Sequence, residues 1–509
     1  MKNFNKKICL ALVLTLILTS FAGCGDNKSA SSNEKVDLVW MLAGAEQTDS
    51  KLVWEKFNEE LNKREGFENY EIGFKLFPFA DFAQKFMLFQ TSGEKIDMVS
   101  TYNLELGMEV RNGTLYDMTD DMQTLAPDIL KEIPDWALKL CQVDNKQYAI
   151  TNYQQMAEAM YSPAFQALEA DKYLDYDGFR AALDSSDTVG QEVYDALDTY
   201  FDTLKANGTL DMGMRPGTTW VMMKGYDVLS PYQWIFKRSG DGVKVEHFME
   251  TDAYKTLLKN ADKFFKKGYI RKDVLSAELG KDAGKPNGYN VWHSQTYKGA
   301  EEAMTLKHNM PIRIINSEND YYVGIAANAG GNGILASSKY PKEALKFLNM
   351  MYTQQGKDMY RLLVYGIEGQ HYTMVEGSDI RINPIGYVGN PGSTDAPYGL
   401  NKWIVGNCSL AYEAPTEAEG WIDYVFNEWN PSCKPSKLAG FVLDDEEFAA
   451  EYAQIGAITS EYRDMLASGS LADYEAKYKE CFDKFKIAGF DKVKAAMQKQ
   501  IDDYLASQK

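Results

Sequence analysis

Residues 36–79 read VDLVWMLAGAEQTDSKLVWEKFNEELNKREGFENYEIGFKLFPF. The first nine form an apolar run closed by Gly44, the pattern of a buried strand. Over residues 49–63, Val53, Trp54, Phe57 and Leu61 recur at helical spacing, which lays them on one face. In YEIGFKLFPF the period falls to two, with Ile72, Phe74 and Leu76 on one side of a strand. A helix over residues 81–90 and a strand in IDMVSTY follow. Strand and helix alternating at this spacing predict βαβ units, a parallel sheet and an α/β fold. Sheets of this kind bind ligands beyond the carboxyl ends of their strands. Those ends are residues 44–46, 77–81 and 101–105.

Downstream, a helix at Pro134, Asp135 and Trp136 leads to a strand in QYAITNY. The middle of the chain reads as mostly helical, clearest over residues 253–267, where Leu257, Leu258, Ala261, Phe264 and Phe265 share a face. Short strands are expected in DMGMRPG, YNVWHS and PIRIIN, and a helix in YPKEALKFLNMMYT with Pro341 in its first turn. Gly330, Gly331 and Gly333 precede ILASS without a GxxxxGK motif, so a backbone turn is expected there in place of a phosphate loop. No internal repeat is visible.

Upstream, Lys2, Lys6 and Lys7 precede the apolar run of residues 8–18, the layout of an export signal. The run is shorter than the roughly 20 apolar residues that span a bilayer. Phe21, Ala22 and Gly23 stand before Cys24 as in a bacterial lipobox, with Phe where Leu is usual. Residues 1–23 are thus expected to be removed and Cys24 lipidated. The alternative is an ordinary export signal with an incidental cysteine. Residues 24–35 hold almost no apolar side chain and read as a flexible tether.

Composition narrows the partners. Net charge is −19, and removal of residues 1–23, with three lysines and no acidic residue, takes it to −22. That surface argues against nucleic acid or anionic lipid as ligand. About 470 residues beyond the tether suffice for two domains with real cores. Past Cys9 and Cys24, the remaining Cys141, Cys408, Cys433 and Cys481 match no metal spacing. A Cys408–Cys433 bond and buried thiols both stay open. His247, His293, His308 and His371 form no helical metal pair and no HExxH occurs, so neither a metal nor a cofactor is expected. His371, in GIEGQHY, is expected to hydrogen-bond near a hinge.

The sequence resembles the extracellular solute-binding proteins of ABC transporters, family 1, the sugar-binding group. The resemblance rests on the lipobox, DLVWMLAG followed by VWEKFNEELNK, FAQKFMLFQTSGEKIDMV, GTLYDMTDDM, KQYAITNY and GGNGILASSKYPKEALKFLNMMY. LLVYGIEGQHY and YGLNKWIVGN resemble a lipoprotein subgroup with a long C-terminal region. It implies a periplasmic-binding-protein-like fold, two α/β lobes with a hinge and a central ligand cleft. By position, lobe one would hold residues 36–151 and 311–355, and lobe two residues 152–310 and 356–509. It also implies a monomeric receptor on the outer face of the cell membrane that closes on an oligosaccharide and delivers it to a permease.

A sugar needs flat aromatics for its ring faces and charged or amide groups for its hydroxyls. The resemblance places Tyr153, the Arg215–Trp220 loop and Trp292 on the cleft side of lobe two. Gln154 and His293 adjoin them and Trp403 lies in a C-terminal loop, while Glu46, Phe79 and Asn103 would face them from lobe one. Each aromatic has packing as its alternative, and Glu46 and Asn103 could be solvated or capping residues. Trp40 and Trp54 belong to core faces. No G-x-S-x-G elbow occurs, and catalysis is not expected. The alternatives are an anchored glycoside hydrolase, or a binding protein for a peptide or polyamine.

Overall fold

A computed structural model describes residues 34–508 apart from 103, 157–161, 215–220, 222–223, 231–232, 276–288, 295–298, 317–321, 324–329, 387–395 and 416. Cys24 and the tether up to residue 33 lie outside the described residues, as do Asn103, Arg215 and Trp220.

The first lobe is built on a five-stranded sheet. Strand β1 (Val36–Ala43) pairs in parallel along its whole length with β2 (Tyr70–Phe77), from Val36 opposite Tyr70 to Ala43 opposite Phe77. On its other side it pairs in parallel with β3 (Met98–Ser100). Helices α1 (Ser50–Leu61) and α2 (Phe82–Ser92) link these strands as the hydrophobic pattern predicts. On α1, Val53, Phe57 and Leu61 are buried, and Trp54 packs on Phe74 at 5.5 Å. After β3 comes the short helix α3 (Leu106–Arg111). Strand β4 (Ala149–Thr151) is the far edge of the sheet.

Between β3 and β4 lies β12 (Gly331–Ile334), antiparallel to both. The expected turn at these glycines is therefore a central strand. Its neighbours explain the composition: a β-carbon at Gly331 would overlap the Ile150 carbonyl, and one at Gly333 would come within 3.0 Å of Leu115. Glycine weakens a strand on its own but permits this approach. The buried Asn332 is the polar hub of the lobe. Its Oδ1 accepts from Trp40 Nε1 at 2.9 Å, and its Nδ2 faces Asn152 Oδ1, Tyr352 Oη and the Ile404 carbonyl at 2.8–3.1 Å. Helix α7 (Pro341–Met351) covers the sheet with a face including Leu345, Phe347 and Leu348.

The second lobe has two small antiparallel sheets under a mainly helical shell. Strand β5 (Ser162–Gln166) lies between β9 (Val291–Ser294) and β10 (Ile312–Ile314). Strands β6 (Tyr226–Val228), β7 (Trp234–Lys237) and β8 (Glu246–His247) form the other sheet. Around them pack α4 (Gln191–Ala206), α5 (Asp252–Lys267), α10 (Ala449–Ala467), α11 (Tyr474–Ile487) and α12 (Phe490–Ser507). Helix α5 shows why such elements are definite. Thr251 accepts from the Tyr254 amide at its start, Gly268 ends it at φ 81°, and Leu257, Leu258, Ala261 and Phe264 face the core. A helix α6 (Ala300–His308) lies beside β10.

The lobe boundary moves from where the sequence puts it. Helices α8 (Lys357–Tyr365) and α9 (Lys402–Val405), with Tyr398, Leu410, Trp421 and Val425, pack into the first core. Residues 356–433 thus belong largely to lobe one, and only the stretch from Leu438 onward joins the second core. No local pattern marks this return, because both cores use the same apolar alphabet.

The described chain passes from one core to the other three times, between Met156 and Phe165, between Ile315 and Ile334, and between Val425 and Leu438. The second carries β11 (Tyr322–Val323), paired in parallel with β13 (Lys434–Pro435) of the third. No described helix is long and apolar enough to cross a membrane.

Candidate functional site

The parallel strands β1, β2 and β3 all end on one side of the first lobe, and side chains there stand in solvent. Phe79, just past β2, is 39% exposed; Tyr102, just past β3, is 46% exposed. Their rings meet edge to face with centroids 5.7 Å apart. Two apolar rings in contact at a sheet's strand ends form a small exposed patch that a ligand could cover. Tyr102 is held from behind by Gly330, where a β-carbon would come 2.8 Å from its ring. Glu46, past β1, is exposed beside them in the sequence of strand ends. The adjoining Gln47 is buried and clamps residue 399, donating to the Gly399 carbonyl at 2.9 Å and accepting from its amide at 3.1 Å. That clamp brings the 397–403 segment across the end of β1, with Leu400 against Gly44. Trp403 follows on the segment with its indole 52% exposed.

At the first crossing the side chains turn inward. Tyr153 is buried between Trp136 and Phe426, at 6.4 and 5.1 Å, and burial raises its phenol pKa above the ordinary value. Gln154 is buried as well, and its carbonyl accepts from Asn430 Nδ2 at 2.7 Å. Tyr153 is part of the first core and Gln154 follows it, so neither lies on the cleft side of lobe two where the resemblance places Tyr153. Packing around the crossing takes up these side chains.

Trp292 also differs from expectation. On β9 its indole is only 3% exposed and packs in a small cluster with Ala164 and Ile312, flanked by Met304, Met310 and Ile314. Alternation along the strand explains it. Trp292 points to the cluster, while the adjoining His293, opposite Pro163, is half-buried on the other face. The described residues at this end of lobe two include Ser162 and Asn316, joined Oγ to Oδ1 at 3.0 Å.

His371 is not at the hinge. Its Nδ1 accepts from the Ile367 amide at 2.8 Å and its Nε2 reaches Asp49 at 3.1 Å, tying a turn after α8 to the start of α1 within lobe one. Cys408 and Cys433 are not bonded to each other. Cys408 Sγ faces the Lys402 carbonyl, Cys433 Sγ faces the Trp429 carbonyl, and burial pushes both thiols up to about 11. Among the described residues no group of three His, Cys, Asp or Glu is placed to hold a metal.

The expected residues divide accordingly. Glu46, Phe79 and Trp403 lie exposed on the first lobe, whereas Tyr153, Gln154 and Trp292 are buried. Sequence reasoning missed Tyr102, although TYNLE was already read as a strand end and Asn103 was chosen from it. The available signal was Tyr102 itself, a large ring immediately past an apolar strand.

Two separate cores, three crossings with a paired ribbon, and aromatics exposed at the carboxyl ends of a parallel sheet define the class. The chain has the two-lobed fold of the solute-binding proteins of ABC transporters. It is 22% identical over 523 aligned residues, spanning all of both chains, to a carbohydrate ABC transporter substrate-binding protein of Streptococcus pneumoniae serotype 4 (strain ATCC BAA-334 / TIGR4). It superposes on the N-glycan transport solute binding protein (NgtS) from Streptococcus pneumoniae with a TM-score of 0.76, at 20% identity, over 93% of this chain and 100% of that one. On the same protein in complex with Man5GlcNAc, at equal identity and coverage, the TM-score is 0.65. Residues 437–506 match a family model described only as a domain of unknown function (DUF3502).

Proposed function

We propose that the protein is a receptor that captures an oligosaccharide between its lobes and hands it to an ABC permease. The observation that carries this reading is the Phe79–Tyr102 pair, 5.7 Å apart and exposed at the strand ends. Stacked sugar rings would cover those apolar faces, and Glu46 and Trp403 would border them. Lobe two would close from the opposite side, in the manner of hinge-closing receptors. The relatives support a glycan as the ligand, since one is a carbohydrate receptor and another is solved with Man5GlcNAc.

The finer parts of the reading are these. Cys24 carries the lipid, residues 24–35 form the leash, and the receptor works as a monomer on the extracytoplasmic face. The leash raises the effective concentration of receptor at its permease. The protein binds and releases its ligand unchanged.

Thermal-shift screening against oligomannose glycans, other oligosaccharides, peptides and polyamines tests the reading, with the mixtures checked for cleavage. A ligand that binds only the folded chain raises its melting temperature. A shift with glycans and no products is the expected result. Shifts confined to peptides or polyamines would overturn the ligand class, and cleaved glycan would make the protein a hydrolase.

A further inference from the structure

Tyr102 stands in solvent on a support that is itself buried. Its side chain is 46% exposed, whereas Gly330 behind it, at the end of the second crossing and just before β12, is buried. A β-carbon on Gly330 would come 2.8 Å from Tyr102 Cδ2 and 3.0 Å from both its Cα and its Cβ. Contacts that tight at the root of a ring are not relieved by swinging its tip.

Other reasons for a glycine here are missing. Gly330 lies outside the positive-φ region that favours glycine, unlike Gly44 or Gly366. It does not clear the interior either, as Gly331 does for the Ile150 carbonyl and Gly333 for Leu115. The three atoms nearest to a β-carbon at 330 all belong to Tyr102. The flanking backbone is meanwhile locked side by side. The Thr101 amide donates to the Gly331 carbonyl at 2.8 Å, and the Gly331 amide donates to Thr101 Oγ1 at 2.9 Å. On the other side, the Gly330 carbonyl accepts from the Asn152 amide at 3.0 Å. A methyl group at 330 must therefore be absorbed by Tyr102, because the strand behind it has no room to retreat.

We infer that Gly330 is a positioning residue. It seats the Tyr102 ring where that ring meets Phe79, and so sets the aromatic platform on which a sugar would stack; the sugar in this statement rests on the proposed glycan reading. The two centroids stand 5.7 Å apart with the planes at 81°, and contacts between such rings depend on offset and tilt. Relieving the overlap from 2.8 Å to an ordinary contact of 3.4 Å is a shift of about 0.6 Å. That exceeds the ~0.5 Å within which a binding constellation keeps its geometry. Gly330 touches no ligand itself. It acts through the ring, and it ties the platform to the point where the chain re-enters the first core.

Fluorine NMR of the protein carrying a single fluorotyrosine at position 102 tests the seat without any ligand. Gly330→Ala is compared with the parent and with Gly242→Ala, a control in lobe two where a β-carbon meets nothing within 4 Å. The expected result is a clear shift of the resonance in Gly330→Ala and none in the control. An unmoved resonance, or an equal movement in the control, overturns the proposal. If Gly330→Ala does not fold, its combination with Tyr102→Ala takes its place: regained folding supports the seat, and continued failure overturns it. With a glycan the parent binds, calorimetric titration completes a double-mutant cycle. Gly330→Ala should weaken binding by about 2- to 12-fold in the parent. In the Tyr102→Ala chain it should change nothing, since no ring remains to be misplaced. An equal loss in both chains would mark a general structural effect and overturn the positioning role. If Tyr102→Ala itself binds as the parent does, the platform falls with the glycan reading, while the fluorine resonance still decides whether Gly330 seats the ring.

Discussion

Asn430 donates from Nδ2 to the carbonyl of Gln154 at 2.7 Å, beside the first core and close to where the chain leaves it. Its Oδ1 accepts from the Met156 amide at 3.0 Å, so one fully buried side chain joins the first crossing to the approach of the third. Replacing it with leucine leaves a buried carbonyl and a buried amide without this partner. Each orphaned group costs about 1–3 kcal/mol. Asn430→Leu is therefore expected to lower the denaturation midpoint clearly in urea titration, and a stability equal to the parent would show that the tie is dispensable.

Phe79→Ala and Tyr102→Ala each remove an exposed ring while leaving the core intact. For a stacked ring the loss is about 0.5–1.5 kcal/mol beyond the contact area. Calorimetric titration with a bound glycan should show weaker affinity in both, with melting temperatures close to the parent. Undiminished affinity in both variants would remove this pair from the site.

Trp292→Ala should behave in the opposite way. Its indole fills a satellite core with Ala164 and Ile312, and such truncations cost about 3–5 kcal/mol. The expected signature is a large drop in stability. A folded variant of parental stability would mean that the cluster contributes little.

His247 gives a pH dependence. Its ring is fully buried, Nδ1 accepts from the Met249 amide at 3.3 Å, and Nε2 lies 3.1 Å from Thr459 Oγ1. Thr459 gives its own proton to the Ile455 carbonyl, so Nε2 is the nitrogen that carries the proton. Burial, with Lys494 adding to it, pushes the imidazole pKa down to about 3. The unfolded chain takes up a proton below about pH 6.5 and the folded one does not. This group therefore contributes stability above pH 6.5 that is lost as pH falls toward 3, at up to about 1.4 kcal/mol per unit. His247→Gln should flatten the acid limb of a stability–pH profile, and an identical limb would assign it to other groups.

How far the sequence could be read depended on whether the information was local. Periodicity located β1, α1, β2, α2 and β3, because each buries one face or stripe against the same sheet. It could not locate β12, whose glycines look like a turn until Ile150, Leu115 and Tyr102 are seen pressing on them. Nor could it place residues 356–433, since Tyr360, Leu363 and Val405 are apolar in the same way whichever core receives them. At the site, the strand ends were legible but the direction of each side chain was not. Phe79 is exposed at its strand end, Trp292 turns into a satellite core, and Tyr102 was passed over for its neighbour.

The hinge is three strands of chain, but they are not independent. The second and third are zipped together by the pairing of β11 with β13, and Asn430 bolts the first to the segment leading into the third. A joint of three loose cords would let the lobes swivel, shear and roll. Linked in this way, it resembles a door on a single pin. Ties of this kind would leave the connections fewer independent ways to bend, so that the proposed closure would follow a restricted path. If the proposed glycan is captured between the lobes, its girth would then decide how far the door swings, apart from any hydrogen bond it makes.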